Sequence, residues 1–529
     1  MTKALVLDDL PLRLEEAANF IFQRQPNTSI EVAESALDRV RKTHSRLYEL
    51  MEKKLPIYGV TTGFGDSCFR VVSPSQSEAL QKNLISYLLC GTGPVLSEDA
   101  ARATFLFRLK SLSRGFSGVS VELLNQMKLF LERDWIPVIP REGSLGASGD
   151  LIPLAYIAQA LQGEGKLYDK NGGTRATAET LKAAGVAPYT LKPKEGLALV
   201  NGTSAMAGLA LTNINNARYL LDLSALSTSW LVLALKGRTE PFSELVNERA
   251  KAHEGQAHIA RQVRSLLHDE HYSSKPLSQV VVNSSSLAEE MIQDRYSLRC
   301  APQILGPVAE TMSLVEGWIE TEINGTSDNP LIDEDGNLAM GGNFYGGHLS
   351  QGMDYLKISL AHMADLLDRQ LMTLIDDKTN RGLPANLANW PGLPEEERFL
   401  HHGLKGLHQA TNAITSEILA RATPNGIFSR SSESHNQDKV SLGMSAAVQC
   451  SEMIEPLFTI QSMYLVCLAQ ALDLRGITLK GASSRAMYQM IRDTVPFITH
   501  DIALGESIQT LSEKLKDKAR LQGRVFGSL

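Results

Sequence analysis

Apolar residues in the second half of the chain recur at three- and four-residue steps, the spacing that gathers them on one face of a helix. From Gln351 to Asp376 the stripe is Met353, Leu356, Leu360, Met363, Leu367, Leu371 and Leu374, with no Pro or Gly after Gly352 to stop it. This pattern predicts a helix of about seven turns. Similar stripes run from Met206 to Leu235 and from Val448 to Leu474, and Pro456 within the latter should kink or start a helix. Long helices with apolar faces pack side by side as a bundle. The first half predicts shorter helices at 28–53, 77–89, 98–113 and 121–133, separated by Gly-rich loops at 58–66 and 140–150. Strand signals are confined to short pieces near 166–168 and 338–340, so the expected fold class is all-α.

Composition narrows the classes. The chain has 529 residues, 43% hydrophobic and 21% charged, the balance of a globular protein with ample core. Lys plus Arg number 52 against 59 Asp plus Glu, a net charge of -7, the wrong sign for a nucleic-acid partner. Glu15 and Glu16 interrupt the N-terminal apolar residues, and no run of 18 uncharged apolar residues occurs, so neither a signal peptide nor a membrane span is expected. Five cysteines without a CxxC pair suit a reducing, cytoplasmic location. The Asn-x-Ser/Thr sequences at Asn27, Asn201, Asn283 and Asn324 are therefore read as something other than glycosylation sites.

No metal site is expected. His253 and His258 flank Glu254 and Gly255 five residues apart, where a shared helical face needs four. His268 to His271 form a polar cluster assigned to a loop. Phosphate-loop, dinucleotide-binding and nucleophile-elbow patterns are lacking.

The chemistry sits in Gly143-Ser144-Leu145-Gly146-Ala147-Ser148-Gly149-Asp150-Leu151, small residues feeding an apolar helical stretch that Ser148 or Asp150 could cap. Around Ala147-Ser148-Gly149 this segment resembles the signature of the aromatic amino acid ammonia-lyase and 2,3-aminomutase family. Further segments follow in that family's order: Tyr58-Gly59-Val60-Thr61-Thr62-Gly63-Phe64-Gly65, Gly196 to Thr203, Gln293 to Cys300, Ser327 to Leu331, Gly341 to Phe344 and His435 to Asp438. The resemblance covers essentially the whole chain.

That resemblance implies a 4-methylideneimidazol-5-one (MIO) electrophile built from Ala147, Ser148 and Gly149, with no metal or soluble cofactor. Gly149 lacks Cβ, so its nitrogen can reach the Ala147 carbonyl carbon, while Ser148 loses its hydroxyl to become a methylidene. Tyr58 is implied as the base at the substrate β carbon. An ordinary phenol of pKa about 10 is on the order of 0.1% ionised at neutrality, so Tyr58 needs a lowered pKa or tight positioning. Arg299 suits the substrate carboxylate through its planar fork. Tyr296, Asn201, Gln293 and Asn329 are implied around the electrophile and the amine, with Gly65 and Leu197 also at the substrate. Glu433 and Gln437 resemble the amine-end pair of the phenylalanine-acting branch, which argues against a histidine substrate. Tyr87, Leu88, Phe344 and Gln409 are expected at the aryl ring, the two polar ones fitting a ring-oxygenated substrate such as tyrosine.

The implied fold is a fumarase/aspartase-like helical architecture, with a domain at 1–204 carrying Tyr58 and the tripeptide and a long-helix bundle at 205–529. It corresponds to the family's compact bacterial-type form, without the extra C-terminal region of plant members. The implied assembly is a homotetramer whose active sites combine residues of three chains. The expected activity is deamination of an aromatic L-amino acid to an aryl acrylate and ammonia. A 2,3-aminomutase, a histidine ammonia-lyase and a non-catalytic helical assembly protein are the alternatives.

Overall fold

The computed structural model describes residues 4–24, 29–280, 292–388, 390, 392–398 and 400–525. Helices dominate, and the strands form four two-stranded ladders. The all-α expectation holds. The long stripes become helices Ser204–Ala234, Gly347–Ile375 and Gly443–Leu474, joined by Ala301–Ile323. Met353, Leu356, Leu360, Met363, Leu367, Leu371 and Leu374 are all fully buried, as one apolar face requires.

Several boundaries differ from expectation. Pro456 lies inside Gly443–Leu474, and the helix begins thirteen residues before it. A proline costs one main-chain bond, and burial of the surrounding Met453, Ile454, Leu457 and Phe458 outweighs that loss. The helix expected from residue 28 starts at Glu34, because Ile30–Val32 pairs in parallel with Leu5–Leu7. The second expected strand spans only Leu338–Ala339. His268 and Asp269 end helix Glu254–Asp269 instead of lying in a loop. Gly443–Leu474 is also long and apolar enough to cross a membrane by length and composition, but 83% of its apolar window is buried within the fold. Asn27 and Asn283 lie outside the described residues. Asn324 Nδ2 donates to the Leu12 and Glu320 carbonyls.

Compactness divides the chain into two units, one of Met1–Asn213, Val315–Asp354 and Pro424–Ser451, the other of Ile214–Leu314, Tyr355–Thr423 and Glu452–Leu529. The first unit holds the shorter helices and all four ladders. Its helices start where the local chemistry dictates: Ser97 accepts from Ala100 N and opens Glu98–Ser113, and Ser120 accepts from Leu123 N and opens Val121–Glu132. A small apolar cluster of Leu47, Leu50, Met51, Ile57, Val60 and Ile332 seats the loop that follows Ile57. The second unit is built from helices Glu254–Asp269, Lys405–Ala420, Ala482–Arg492 and Gly505–Gln522 with most of the long helices.

Candidate active site

The tripeptide Ala147-Ser148-Gly149 runs into helix Leu151–Leu161 within the first unit. Gly149 has φ +72°, a left-handed conformation, and bridges to Gly202 in parallel. A Cβ at Gly149 would strike the Gly202 carbonyl and lie 2.9 Å from Gly202 Cα, so only glycine fits. The contact continues in Asp150 N donating to Gly202 O at 2.7 Å. Asp150 occupies the N-cap position but does not cap the helix with its side chain. Its carboxylate instead accepts from Met206 N at 2.8 Å and from Ser144 Oγ at 3.0 Å, tying the tripeptide to the start of helix Ser204–Ala234. Complete burial pushes its pKa up to about 7, against which the Met206 and Ser144 hydrogen bonds pull downward.

Six other expected residues belong to the same unit. Gln437 Nε2 donates to Ser148 Oγ at 3.3 Å. Asn201 is buried; its Nδ2 donates to the Asn329 carbonyl at 3.0 Å while its Oδ1, also buried, has no hydrogen-bond partner. Asn329 Oδ1 accepts from Gly341 N at 2.9 Å. Tyr58 Oη accepts from Gly65 N at 2.8 Å, folding the Gly-rich loop back on the phenol. A side chain at Gly65 would collide with the Glu433 carboxylate, which accepts from Asp66 N at 3.2 Å. Glu433, Ser434 and His435 all have positive φ, a left-handed turn that non-glycine residues adopt at a cost of about 1–3 kcal/mol each. Backbone bonds between Ser432 and Gln437 close that turn into a hairpin and hold both polar side chains in place.

Tyr58 departs from the lowered pKa considered above. Burial pushes its phenol above the ordinary value, the Gly65 N–H pulls it down, and the Glu433 charge raises it again. The structure supplies positioning rather than acidity. Tyr87 is 59% exposed, yet desolvation of its hydroxyl, followed by the Glu433 and Tyr58 charges, takes its pKa up to about 12. Leu88, its neighbour at the end of helix Ser77–Leu88, is buried, as is Leu197. Leu197 Cδ2 would lie 2.7 Å from a Cβ at Gly59, which places it against the Tyr58 loop. Phe344 is half-buried ahead of helix Gly347–Ile375.

With this geometry in view, the comparisons with known proteins are direct. The family described as aromatic amino acid lyase matches residues 12–493. The chain belongs to the aromatic amino acid lyase family. It is thereby an enzyme of the carbon–nitrogen lyase class. A tyrosine 2,3-aminomutase of Myxococcus sp. (strain Mx-B0) is 38% identical over 88% of this chain and 89% of its own length. A tyrosine ammonia-lyase of Cupriavidus metallidurans is 34% identical over 93% and 92%. The crystal structure of a tyrosine aminomutase from Streptomyces globisporus superposes with a TM-score of 0.91 at 29% identity, covering 98% of both chains. The fumarase/aspartase-like architecture expected from the sequence is shared.

The remaining expected residues of this aromatic amino acid lyase family member belong to the second unit. The Arg299 guanidinium stacks over the Tyr296 ring at 4.5 Å, and with its amide oxygen turned inward Gln293 accepts from Arg299 Nε at 2.9 Å. Tyr296 is 71% exposed, an unusual position for an aromatic ring without a partner surface. Gln409 is exposed on helix Lys405–Ala420.

Sequence reasoning missed the buried polar groups that hold the first-unit site. Arg108, fully buried, donates to Ser327 O at 2.9 Å, and burial pushes its pKa down to about 10. Lys194 and Asp328 form a fully buried ion pair at 2.6 Å, and Asp328 Oδ1 accepts from Asn329 N at 2.7 Å. Arg108 on its helix and Lys194 and Asp328 in loops look like ordinary surface charges, so no signal separated them. The one grouping of metal-type side chains detected among the described residues, Glu397, His401 and His500, was also unforeseen because its segments are a hundred residues apart. There Asp501 N donates to His401 Nδ1 at 3.2 Å, while His401 Nε2 stands 3.9 Å from the Glu397 carboxylate.

The raised Asp150 pKa has a pH consequence. The folded protein keeps a proton that the unfolded chain releases near pH 4, so this group's contribution is full below about pH 4 and is lost as pH rises toward 7. Asp150→Asn is expected to flatten that part of the stability profile, measured by urea unfolding across pH 4–8. An unchanged slope would show that Asp150 is ionised in the folded protein.

Proposed function

We propose that this protein deaminates an aromatic L-amino acid, of the phenylalanine or tyrosine type, to the aryl acrylate and ammonia. The observation that carries this reading is the main-chain approach of Gly149 to Gly202 beneath Ser148, with Tyr58 and Gln437 in the same unit. The residues fit the family's MIO group: Gly149 is held where no Cβ is tolerated, and Gln437 donates at Ser148. In that form, Ala147, Ser148 and Gly149 supply an electrophilic methylidene that captures the substrate amine and makes it a better leaving group.

The chain's own side chains do the rest. Arg299, steadied by the Tyr296 ring and Gln293, grips the substrate carboxylate through its planar fork. Glu433 and Gln437 face the amine end, the carboxylate favouring an ammonium there. Asn201 offers its unpartnered Oδ1 as an acceptor to the substrate amine. Tyr58 takes the β proton, held for that task by Gly65 N. Tyr87, Leu88, Leu197, Phe344 and Gln409 border the ring, and the Tyr87 hydroxyl favours an oxygenated ring that can pair with it once substrate and partner copies cover it, because a polar group then left unpaired would cost about 1–3 kcal/mol. Three copies of the chain contribute to each site of a cytoplasmic homotetramer. The exposed Tyr296, Tyr87, Phe69 and Val71 support an assembled form.

A 2,3-aminomutase is the second reading, supported by the Myxococcus relative and the Streptomyces neighbour. The two differ in whether the acrylate escapes before the amine returns to the β carbon.

Incubation with phenylalanine, tyrosine and 3,4-dihydroxyphenylalanine is expected to release acrylate and ammonia, with an oxygenated substrate preferred. A β-amino acid product would replace the lyase reading by the aminomutase one, and a clear preference for phenylalanine would refute the role given to Tyr87. Ser148→Ala and borohydride treatment are each expected to abolish turnover, and full activity after both would eliminate the electrophile.

The charge arrangement predicts a second result. A base with a raised pKa gives turnover that climbs into alkaline pH, and removing the Glu433 charge lowers that pKa. Glu433→Gln is therefore expected to move the alkaline limb of kcat to lower pH, whatever its effect on the maximum. A limb that stays in place would detach Tyr58 ionisation from Glu433.

A further inference from the structure

Gln81, on helix Ser77–Leu88, is fully buried, and the proposed chemistry makes no use of it. Its amide works at both ends. Nε2 donates to the Gly59 carbonyl at 2.8 Å, and Oε1 accepts from Leu197 N at 2.9 Å. Gly59 directly follows Tyr58, and Leu197 lies in helix Glu195–Val200, where its carbonyl accepts from Asn201 N at 2.9 Å. One side chain thus spans from the loop of the proposed base to the turn that carries Asn201 and Gly202.

Two glycines make room for this span. A Cβ at Gly196 would lie 2.9 Å from Gln81 Cβ, and Gly59 has φ +66° with its side-chain space filled by Phe64 and Leu197. The Gly59 and Gly196 main chains can therefore close on Gln81 from two sides. A neutral amide of this length donates to one main-chain group while accepting from the other at any pH: an ionised Glu cannot donate, and Met has no donor and only a weak acceptor.

We propose that Gln81 is a positioning residue for the reaction, setting the Tyr58 loop at a fixed distance from the segment that carries Asn201 and packs on Gly149. This rests on the role given to Tyr58 above. Misplacing a base by about 1 Å costs on the order of a hundredfold in rate, and the effect falls on the chemical step rather than on substrate capture.

The test compares Gln81→Met, Gln81→Glu and Tyr58→Phe in the full-length protein, measuring kcat, KM, pH profile and borohydride incorporation. Gln81→Met is expected to lose about ten- to a hundredfold in kcat with little change in KM and with normal borohydride incorporation. Gln81→Glu is expected to be equally impaired at alkaline pH and to recover relative to wild type at acid pH, where the protonated carboxyl again donates to Gly59 O. Wild-type kcat in Gln81→Met, or a Glu variant that shows no acid recovery, would overturn the proposal. So would loss of borohydride incorporation in step with kcat, which would make Gln81 a merely structural residue. Tyr58→Phe separates the two readings. If it is inactive while Gln81→Met is normal, only the positioning role fails; if it is fully active, the base assignment fails and takes this proposal with it.

Discussion

The approach of one peptide to another at Gly149 and Gly202 is the constraint around which the first unit is arranged. Neither residue tolerates a side chain: one at Gly149 would enter the Gly202 carbonyl, and one at Gly202 would enter the Arg108 guanidinium. Both sides of the contact are pinned by buried polar groups. Asp150 ties the tripeptide to Met206 and Ser144, while Arg108 holds Ser327, whose hydroxyl accepts from Thr203 N. Lys194 and Asp328 extend the same network to Asn329. Burying these charges is costly, and losing one partner of such a pair costs about 3–5 kcal/mol more. The return is a polar bed on which the tripeptide is held at a helix start.

Beside this bed stands the Tyr58 loop. The loop after Ile57 returns on itself through Tyr58 and Gly65, and Glu433 covers Gly65 from a hairpin with three left-handed residues. Tyr58 and Glu433 are therefore mechanically and electrically coupled. Glu433 helps place the loop and also raises the proton affinity of Tyr58. In the proposed reaction, Tyr58 is then a strong base that is deprotonated only a small fraction of the time, compensated by accurate placement.

How far this could be read from sequence depends on the range of the interaction. Leu356, Leu360 and Leu367 announce their helix because the period is local, and Gly149 and Tyr58 are legible through the motifs that contain them. Ile30–Val32 was invisible as a strand, since its partner Leu5–Leu7 lies some twenty-five residues away and three-residue strands leave no alternation to detect. Gln81, Arg108 and Lys194 were missed for a different reason. A polar residue on a helix, as Gln81 and Arg108 are, or in the turn before one, as Lys194 is, is ordinarily solvated, and only the fold reveals that these reach main-chain carbonyls and carboxylates inside the unit. The direction of the Tyr58 pKa was likewise hidden, because it depends first on how deeply the fold buries the phenol and then on Gly65 and on Glu433, 375 residues further along.

The central claim is that the Gly149–Gly202 approach prepares Ala147-Ser148-Gly149 to cyclise and dehydrate. Mass spectrometry of the proteolytic peptide containing residues 147–149 tests it most directly. The account predicts a peptide lighter than its sequence by two water molecules, one lost in ring closure and one from Ser148. A peptide of full, unmodified mass from natively folded protein would contradict it.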